Sequence, residues 1–229
     1  MKVLIIIPAY NEEESIEKVI NNLKQNYSQY DYVIINDGSH DHTSEICHKN
    51  KYKIIDLPVN LGLTGAFQTG LKYAYKKGYD YAIQFDADGQ HLPEYIPAMV
   101  DKIEEGYDMV IGSRFVEKPK PRSLRMLGSR VISTAIKITT GVHIADPTSG
   151  MRLFNKTLIR EFAENINYEP ERDTVSFLIK QGVKVAEVQV EMKEREAGES
   201  YLNLSRSIVY MTKMFVSIII LQNFRNRKK

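Results

Sequence analysis

Short apolar runs rich in β-branched residues alternate, along the first half of the chain, with longer segments whose apolar residues recur at helical spacing. The pattern predicts strands near residues 2–7, 32–36, 53–56, 81–85 and 108–112, and helices near residues 12–25, 41–49, 62–77 and 93–105. Alternation of this kind indicates an α/β protein with a mostly parallel sheet flanked by helices. We expect Asn11 to cap the first helix, because the acidic residues that follow it suit a helix amino end.

The second half of the chain has a looser pattern. A charged loop punctuated by prolines is predicted at residues 117–122, and a helix over about 123–139. We expect residues 1–202 to form one domain and residues 203–229 to form an amphipathic helix with a basic tail. Lys213 interrupts the apolar run of that helix, which leaves fewer than the roughly 20 apolar residues needed to span a bilayer. Burial in the membrane interface and packing on the core both remain open for it.

Composition narrows the class of protein. The 229 residues are 43% hydrophobic, enough for a substantial core in one large or two small domains. A net charge of +2 gives no strong attraction to nucleic acid, so we expect no nucleic-acid partner. The single cysteine, Cys47, excludes an intrachain disulfide and fits a reducing compartment. The apolar amino-terminal run ends at Pro8 and is too short for a signal peptide, so it is interpreted as the first strand.

Polar clusters follow the first, second and fourth predicted strands, at residues 8–12, 36–39 and 86–90. Because ligands bind beyond the carboxyl ends of parallel strands, we expect the three clusters to converge on one crevice. The two carboxylates and the amide of residues 86–90 are suited to a hard divalent cation that also grips a phosphate. Taken alone, residues 86–90 are as typical of an ordinary turn, whereas residues 36–39 are more typical of a turn and residues 8–12 of a helix start. No glycine-rich dinucleotide motif and no P-loop lysine follows the first strand, so a different kind of nucleotide pocket is indicated.

Between residues 2 and 202 the chain contains seven characteristic segments: residues 8–13 (PAYNEE), 36–39 (NDGS), 60–62 (NLG), 86–90 (DADGQ), 112–114 (GSR), 146–152 (DPTSGMR) and 195–200 (REAGES). In their order and combination they resemble the family 2 glycosyltransferases of the GT-A fold, in the branch that transfers sugars to dolichyl or polyprenyl phosphate. The resemblance implies a Rossmann-like, mostly parallel sheet flanked by helices. One departure is Asn36, where many relatives carry an acid.

The resemblance also implies roles for individual residues. Those implied to bind the nucleotide are Pro8, Tyr10, Glu12, Asp37 and Asp86. Those implied to surround Mg²⁺ or Mn²⁺ and the donor diphosphate are Asp86, Asp88 and Gln90. Those implied to bind the acceptor phosphate or the donor diphosphate are Arg114, Arg130 and Arg195, with Thr134, one helical turn beyond Arg130, as a helper at the acceptor phosphate. The catalytic set is Asp88, Arg114, Arg130 and Arg195. His91, beside the acidic segment, is interpreted as structural, with a donor contact as the alternative.

The acceptor chemistry follows from the residue types. Arginine offers a fork of donors matched to phosphate oxygens. A phosphate monoester, with a second pKa of about 6, is already largely dianionic at neutral pH and needs no base. A hydroxyl acceptor does need one. The nearest candidate base lies in residues 171–173, which are more typical of the acidic start of a helix.

We therefore predict an inverting, metal-dependent transfer of a sugar from a nucleotide sugar to a polyprenyl phosphate. UDP-N-acetylglucosamine is the preferred donor, with UDP-glucose and GDP-mannose as alternatives. The alternative functions are transfer to a saccharide hydroxyl in polysaccharide synthesis and a catalytically silent scaffold subunit. We expect a cytoplasmic protein, peripheral on the cytosolic face of the membrane. Many relatives continue into transmembrane helices where this chain does not, so analogy suggests a small membrane protein as an anchor. The sequence leaves open whether the chain forms a homo-oligomer.

Overall fold

The apolar run at the amino terminus forms the first strand, β1 (Val3–Ala9), and all of its side chains are buried. Leu4 and Ile6 face one hydrophobic core, while Ile5 and Ile7 face a second core on the opposite side. Successive side chains of a strand point to opposite faces, so a strand that is apolar throughout belongs at the centre of a sheet covered on both sides.

The computed structural model describes residues 1–164 and 172–193. Its further strands are β2 (Asp31–Asn36), β3 (Ile54–Asp56), β4 (Tyr81–Gln84), β5 (Met109–Ser113), β6 (Arg152–Asn155) and β7 (Val185–Gln189). Its α-helices are α1 (Ile16–Asn26), α2 (Thr43–Lys49), α3 (Gly62–Lys77), α4 (Ile96–Glu104), α5 (Leu124–Thr140), α6 (Lys156–Glu164) and α7 (Arg172–Lys180).

The strands form one seven-stranded sheet in the order β3-β2-β1-β4-β6-β5-β7. Among the strands of the described residues, β6 alone runs against the others: it pairs antiparallel with β4 and with β5, and the remaining pairs are parallel. The expectation of a mostly parallel sheet is thus confirmed. Because β6 is reversed, its amino end lies at the same edge as the carboxyl ends of the other strands.

Helices cover both faces of the sheet. One core contains the inner sides of α1 and α4, for example Ile20 and Met99. The other contains α3, α5, α6 and α7, for example Phe67, Ile136 and Phe162. No helix of the described residues is long and apolar enough to cross a membrane. The predicted helix within residues 203–229 lies outside the described residues.

The predicted start of the first helix is wrong. Helix α1 begins at Ile16 after a turn in which the Glu12 carbonyl accepts hydrogen bonds from the N–H groups of Ser15 and Ile16. Asn11 has a φ of 56° and precedes this turn, so it does not cap the helix. Asparagine is one of the few residues that tolerates the left-handed region, which makes it as suitable for such a bend as for a cap.

Candidate active site

The three polar clusters expected to converge do lie at one edge of the sheet. Strand β1 sits between β2 and β4, and Ala9 at its end pairs with Asn36 at the end of β2. Residues 8–12, 36–39 and 86–90 therefore leave three adjacent parallel strands in the same direction. This is the edge at which α/β sheets bind nucleotides.

Hydrogen bonds join the loop after β1 to the loop after β2. The N–H of Asn11 donates to Ser39 Oγ at 3.0 Å, and the N–H of His40 donates to Asn11 Oδ1 at 2.9 Å. The N–H of Glu12 donates to Thr43 Oγ1 at 2.8 Å. Asn11, which was expected to cap the first helix, thus connects the loops after β1 and β2.

The residues implied to bind the nucleotide differ in their exposure to solvent. Pro8 is buried in β1, whereas Tyr10 is 43% exposed and packs edge-on against His40, with ring centroids 6.2 Å apart. The exposed part of the Tyr10 ring is therefore available to stack on the base of a nucleotide. The Glu12 carboxylate accepts a hydrogen bond from Ser15 Oγ at 2.7 Å, which directs it toward the start of α1.

Asp37 is almost completely buried at the end of β2. Its Oδ1 accepts a hydrogen bond from the N–H of Leu61 at 2.7 Å, and its own N–H donates to the Ala9 carbonyl at 2.8 Å. Gly38 follows with a φ of 68°, and a Cβ there would lie 2.9 Å from the Asn60 nitrogen. The segments 36–39 and 60–62 are therefore two sides of one tightly packed corner.

Asn36, the departure from the family pattern, has a structural explanation in this chain. Its amide donates to Asp56 Oδ1 at 2.7 Å. Burial raises the pKa of Asp56, but hydrogen bonds from Asn36, Ser44 and His48 outweigh it and the pKa is lowered overall. An acid at position 36 would face this ionised carboxylate, and the amide avoids that repulsion.

Asp86 is held by His91, whose side chain is only 2% exposed. The N–H of Asp86 donates to His91 Nδ1 at 2.9 Å, and His91 Nε2 lies 3.4 Å from Asp86 Oδ2. Because a backbone N–H can only donate, Nδ1 accepts and the neutral ring carries its proton on Nε2, facing the carboxylate. The ring also packs edge-on against Phe85. These contacts give His91 a structural role in positioning Asp86.

The remaining acidic residue of the segment is more enclosed. Asp88 is 8% exposed, and its Oδ1 accepts the N–H of Gln90 at 3.0 Å. Gly150, from the segment leading into β6, packs on Asp86: a Cβ there would lie 3.3 Å from Asp86 Oδ2. The side chain of Asp86 stays 33% exposed, so it is open to a ligand at this edge.

This donor set fits a divalent cation that is completed by substrate. Among the described residues, no group of three or more His, Cys, Asp or Glu side chains is placed to hold a metal ion. Mg²⁺ is usually bound by one or two carboxylates plus substrate phosphates rather than by a cage made wholly of protein. The partly exposed carboxylate of Asp86, with Asp88 and Gln90 beside it, matches that arrangement.

Arg114, which follows β5, and Asp146, in the segment before β6, form a bidentate ion pair. Arg114 Nε donates to Asp146 Oδ2 at 2.6 Å, and Nη2 donates to Asp146 Oδ1 at 2.9 Å and to Thr148 Oγ1 at 3.2 Å. Asp146 is fully buried, which opposes ionisation, but the Arg114 guanidinium outweighs burial and lowers the pKa of this carboxyl. Asp146 is therefore a fixed anion that orients the arginine.

The other basic residues of the motifs occupy different positions. Arg152 is buried, and its guanidinium donates to the carbonyls of Ser149 and Pro147, so it supports the loop before β6. Arg130 lies exposed on α5, and Thr134 one turn later bonds to its carbonyl. Arg195 lies outside the described residues.

One basic residue that lies near Arg114 and Arg130 was not identified from the sequence. Lys120, in the loop after β5, is half-buried and donates to Ser129 Oγ at 3.0 Å and to Ser133 Oγ at 2.9 Å. The signal available was weak: a lysine between two prolines, ahead of a helix with serines four residues apart.

The mostly parallel sheet, with polar clusters at its carboxyl edge, has the architecture of the nucleotide-dependent α/β enzymes. The family described as "Glycosyl transferase family 2" matches residues 4–162. The chain belongs to this family, as the motifs indicated, and is a glycosyltransferase.

Relatives and solved structures agree with this assignment. The chain is 33% identical over 213 residues to a UDP-N-acetylglucosamine–dolichyl-phosphate N-acetylglucosaminyltransferase of Methanococcus voltae, covering 82% of this chain and 84% of the relative. It is 29% identical to an undecaprenyl-phosphate mannosyltransferase of Micrococcus luteus, covering 93% of both chains. A crystal structure of glucosyl-3-phosphoglycerate synthase from Mycobacterium tuberculosis, in complex with Mn²⁺, UDP and phosphoglyceric acid, superposes with a TM-score of 0.71. It is 17% identical and covers 99% of this chain and 80% of the synthase, which shows a shared fold.

Proposed function

We propose that the protein transfers a sugar from a nucleotide sugar to a polyprenyl phosphate, with inversion at the anomeric carbon and with Mg²⁺ or Mn²⁺ as cofactor. The observation that carries the proposal is that the carboxylates near Arg114 already accept hydrogen bonds on both of their oxygens. Both oxygens of Asp146 accept hydrogen bonds from Arg114, and both oxygens of Glu187 accept backbone N–H groups, of Ala145 and Asp146, at 2.6 and 2.7 Å.

Burial raises the pKa of Asp146, but the hydrogen bonds and charge of Arg114 lower it overall, so this carboxylate is not suited to deprotonate an attacking hydroxyl. Both oxygens of Glu187 are already occupied by backbone N–H groups. A phosphate oxygen needs no such base, and the guanidinium groups of Arg114 and Arg130 suit its charge.

Each side of the crevice has a defined task in the proposed reaction. Residues 8–12 and 36–39 hold the nucleotide, and Asp86, Asp88 and Gln90 would hold the cation. The cation, when bound, supplies positive charge to the departing diphosphate. Arg114 and Arg130 orient an acceptor oxygen in line with the anomeric carbon. One bond forms between that oxygen and the carbon, the bond to the diphosphate breaks, and a nucleoside diphosphate leaves.

The names of the relatives support this acceptor class, because two of them are transferases to dolichyl or undecaprenyl phosphate. They differ in the sugar, and UDP-N-acetylglucosamine remains our preferred donor. The proposed place of action is the cytosolic face of the membrane. There the segment 203–229 and a small membrane protein are the proposed means of attachment.

The test offers the purified protein radiolabelled UDP-N-acetylglucosamine, UDP-glucose and GDP-mannose, each with undecaprenyl phosphate or with soluble oligosaccharides, with and without EDTA. We expect label in the lipid product with one donor, and no label there when EDTA is present. Label confined to water-soluble product would replace the lipid acceptor with a saccharide hydroxyl. Absence of transfer to either acceptor would favour the scaffold alternative.

A further inference from the structure

Lys120 occupies a position that is unusual for a lysine in a surface loop. An ammonium group is strongly hydrated and normally stays in water. Here it reaches back onto α5 and donates to the hydroxyls of Ser129 and Ser133, which are 1% and 6% exposed. By contrast Lys118, two residues earlier in the same loop, is exposed and pairs with exposed Glu191.

The loop brings Lys120 next to both arginines of the proposed acceptor side. The Arg114 guanidinium lies 5.1 Å and the Lys120 ammonium 5.8 Å from the centre of the Phe115 ring. Arg130 Nη2 donates to the carbonyl of Lys120 at 2.7 Å. Lys120 therefore shares the Phe115 ring with Arg114 and lies beside Arg130 of α5.

Three cationic side chains and two carboxylates act on one another in this region. Burial lowers the pKa of Lys120, Asp146 and Glu187 raise it, and Arg130 and Arg114 lower it to a smaller extent, with a lowered pKa as the result. The four carboxylate oxygens of Asp146 and Glu187 are already engaged by Arg114 and by backbone N–H groups. An additional anion would therefore be stabilised here.

We propose that Lys120 is a further ligand of the acceptor phosphate monoester, acting with Arg114 and Arg130. An ammonium has three donors, and the two serines accept two of them, so the third is available to a phosphate oxygen among the described residues. The serines fix the ammonium in place, which lowers the entropy lost on binding. This inference rests on the proposed function, since it assigns one more residue to the same site.

The experiment compares Lys120→Met with Lys118→Met, which removes a lysine from the same loop without touching the serines. Titration calorimetry with farnesyl phosphate, a short-chain polyprenyl monophosphate, measures the acceptor side. Titration with UDP in the presence of Mn²⁺ measures the donor side. Lys120→Met should weaken farnesyl phosphate binding about 10- to 100-fold, because a hydrogen bond to a charged group is lost. It should leave UDP binding unchanged, while Lys118→Met should change neither. Lys120→Arg should restore much of the affinity.

Other outcomes overturn the inference. If Lys120→Met behaves like Lys118→Met, Lys120 does not contact the ligand. If it weakens UDP binding instead, Lys120 serves the donor side. If it weakens both ligands and Ser129→Ala/Ser133→Ala does the same, Lys120 only fastens the loop to α5. If the unaltered protein neither binds farnesyl phosphate nor transfers sugar to undecaprenyl phosphate, the proposed function itself fails and the inference falls with it.

Discussion

Replacing His91 by Phe should weaken metal binding by loosening Asp86. The ring of Phe keeps the edge-on packing against Phe85 but lacks both nitrogens. Loss of Nδ1 leaves the Asp86 N–H without its acceptor, which should lower the free energy of unfolding by about 1–2 kcal/mol. Loss of Nε2 removes the group facing Asp86 Oδ2.

The expected loss of metal affinity follows from the contact between His91 Nε2 and Asp86 Oδ2. Removing an outer-shell partner typically reduces metal affinity about 10- to 100-fold. The Nε2–Oδ2 separation of 3.4 Å is longer than a normal hydrogen bond, so we expect the lower end, about tenfold or about 1.4 kcal/mol. Titration of the protein with Mn²⁺ in the presence of UDP measures this affinity, and urea unfolding measures stability.

Two further variants separate the roles of the nitrogens. His91→Asn places an amide oxygen near the position of Nδ1, so it should recover stability but not metal affinity. His143→Phe, at an exposed histidine, should change neither quantity. The reasoning is refuted if His91→Phe loses stability as calculated yet binds Mn²⁺ as tightly as the unaltered protein.

Three more predictions follow from the site. Asp88→Asn should lower Mn²⁺-dependent transfer by about 100-fold or more, and transfer within tenfold of the unaltered protein would remove Asp88 from the catalytic set. The lowered pKa of Asp146 means that its ionised form stabilises the fold above its unfolded pKa of about 3.9, and that this stability is lost as pH falls through the folded value. The difference in unfolding free energy between the unaltered protein and Asp146→Asn should therefore be largest above about pH 5 and shrink in acid; a difference constant from neutral pH to pH 3 contradicts this. Gly150→Ala would place a Cβ 3.3 Å from Asp86 Oδ2, so Mn²⁺ affinity should fall while the melting temperature changes little; equal affinity would show that the segment yields freely.

Much of the fold could be predicted because its central strands have simple patterns. Strand β1 is apolar throughout, which is diagnostic of burial on both faces, and the clusters after β1, β2 and β4 follow from the geometry of parallel sheets. The helix start at Asn11 was wrong because local sequence does not distinguish a capping asparagine from one in a left-handed bend.

The rest depended on contacts between distant residues. The reversal of β6 is decided by its pairing with β4 and β5, which leaves no local mark in its four residues. The burial of Lys120 depends on where α5 places two serines, and most lysines stay in water. The contact between His91 and Asp86 is more local, because the two residues are only five positions apart in the chain.

The antiparallel strand β6 has a consequence for two charged side chains at this edge of the sheet. Its reversal brings the stretch of backbone that precedes it past both of them, with Gly150 against the carboxylate of Asp86 and Asp146 paired with Arg114. Only three residues separate Asp146 from Gly150. The positions of the Asp86 carboxylate and the Arg114 guanidinium therefore both depend on the conformation of this one short segment.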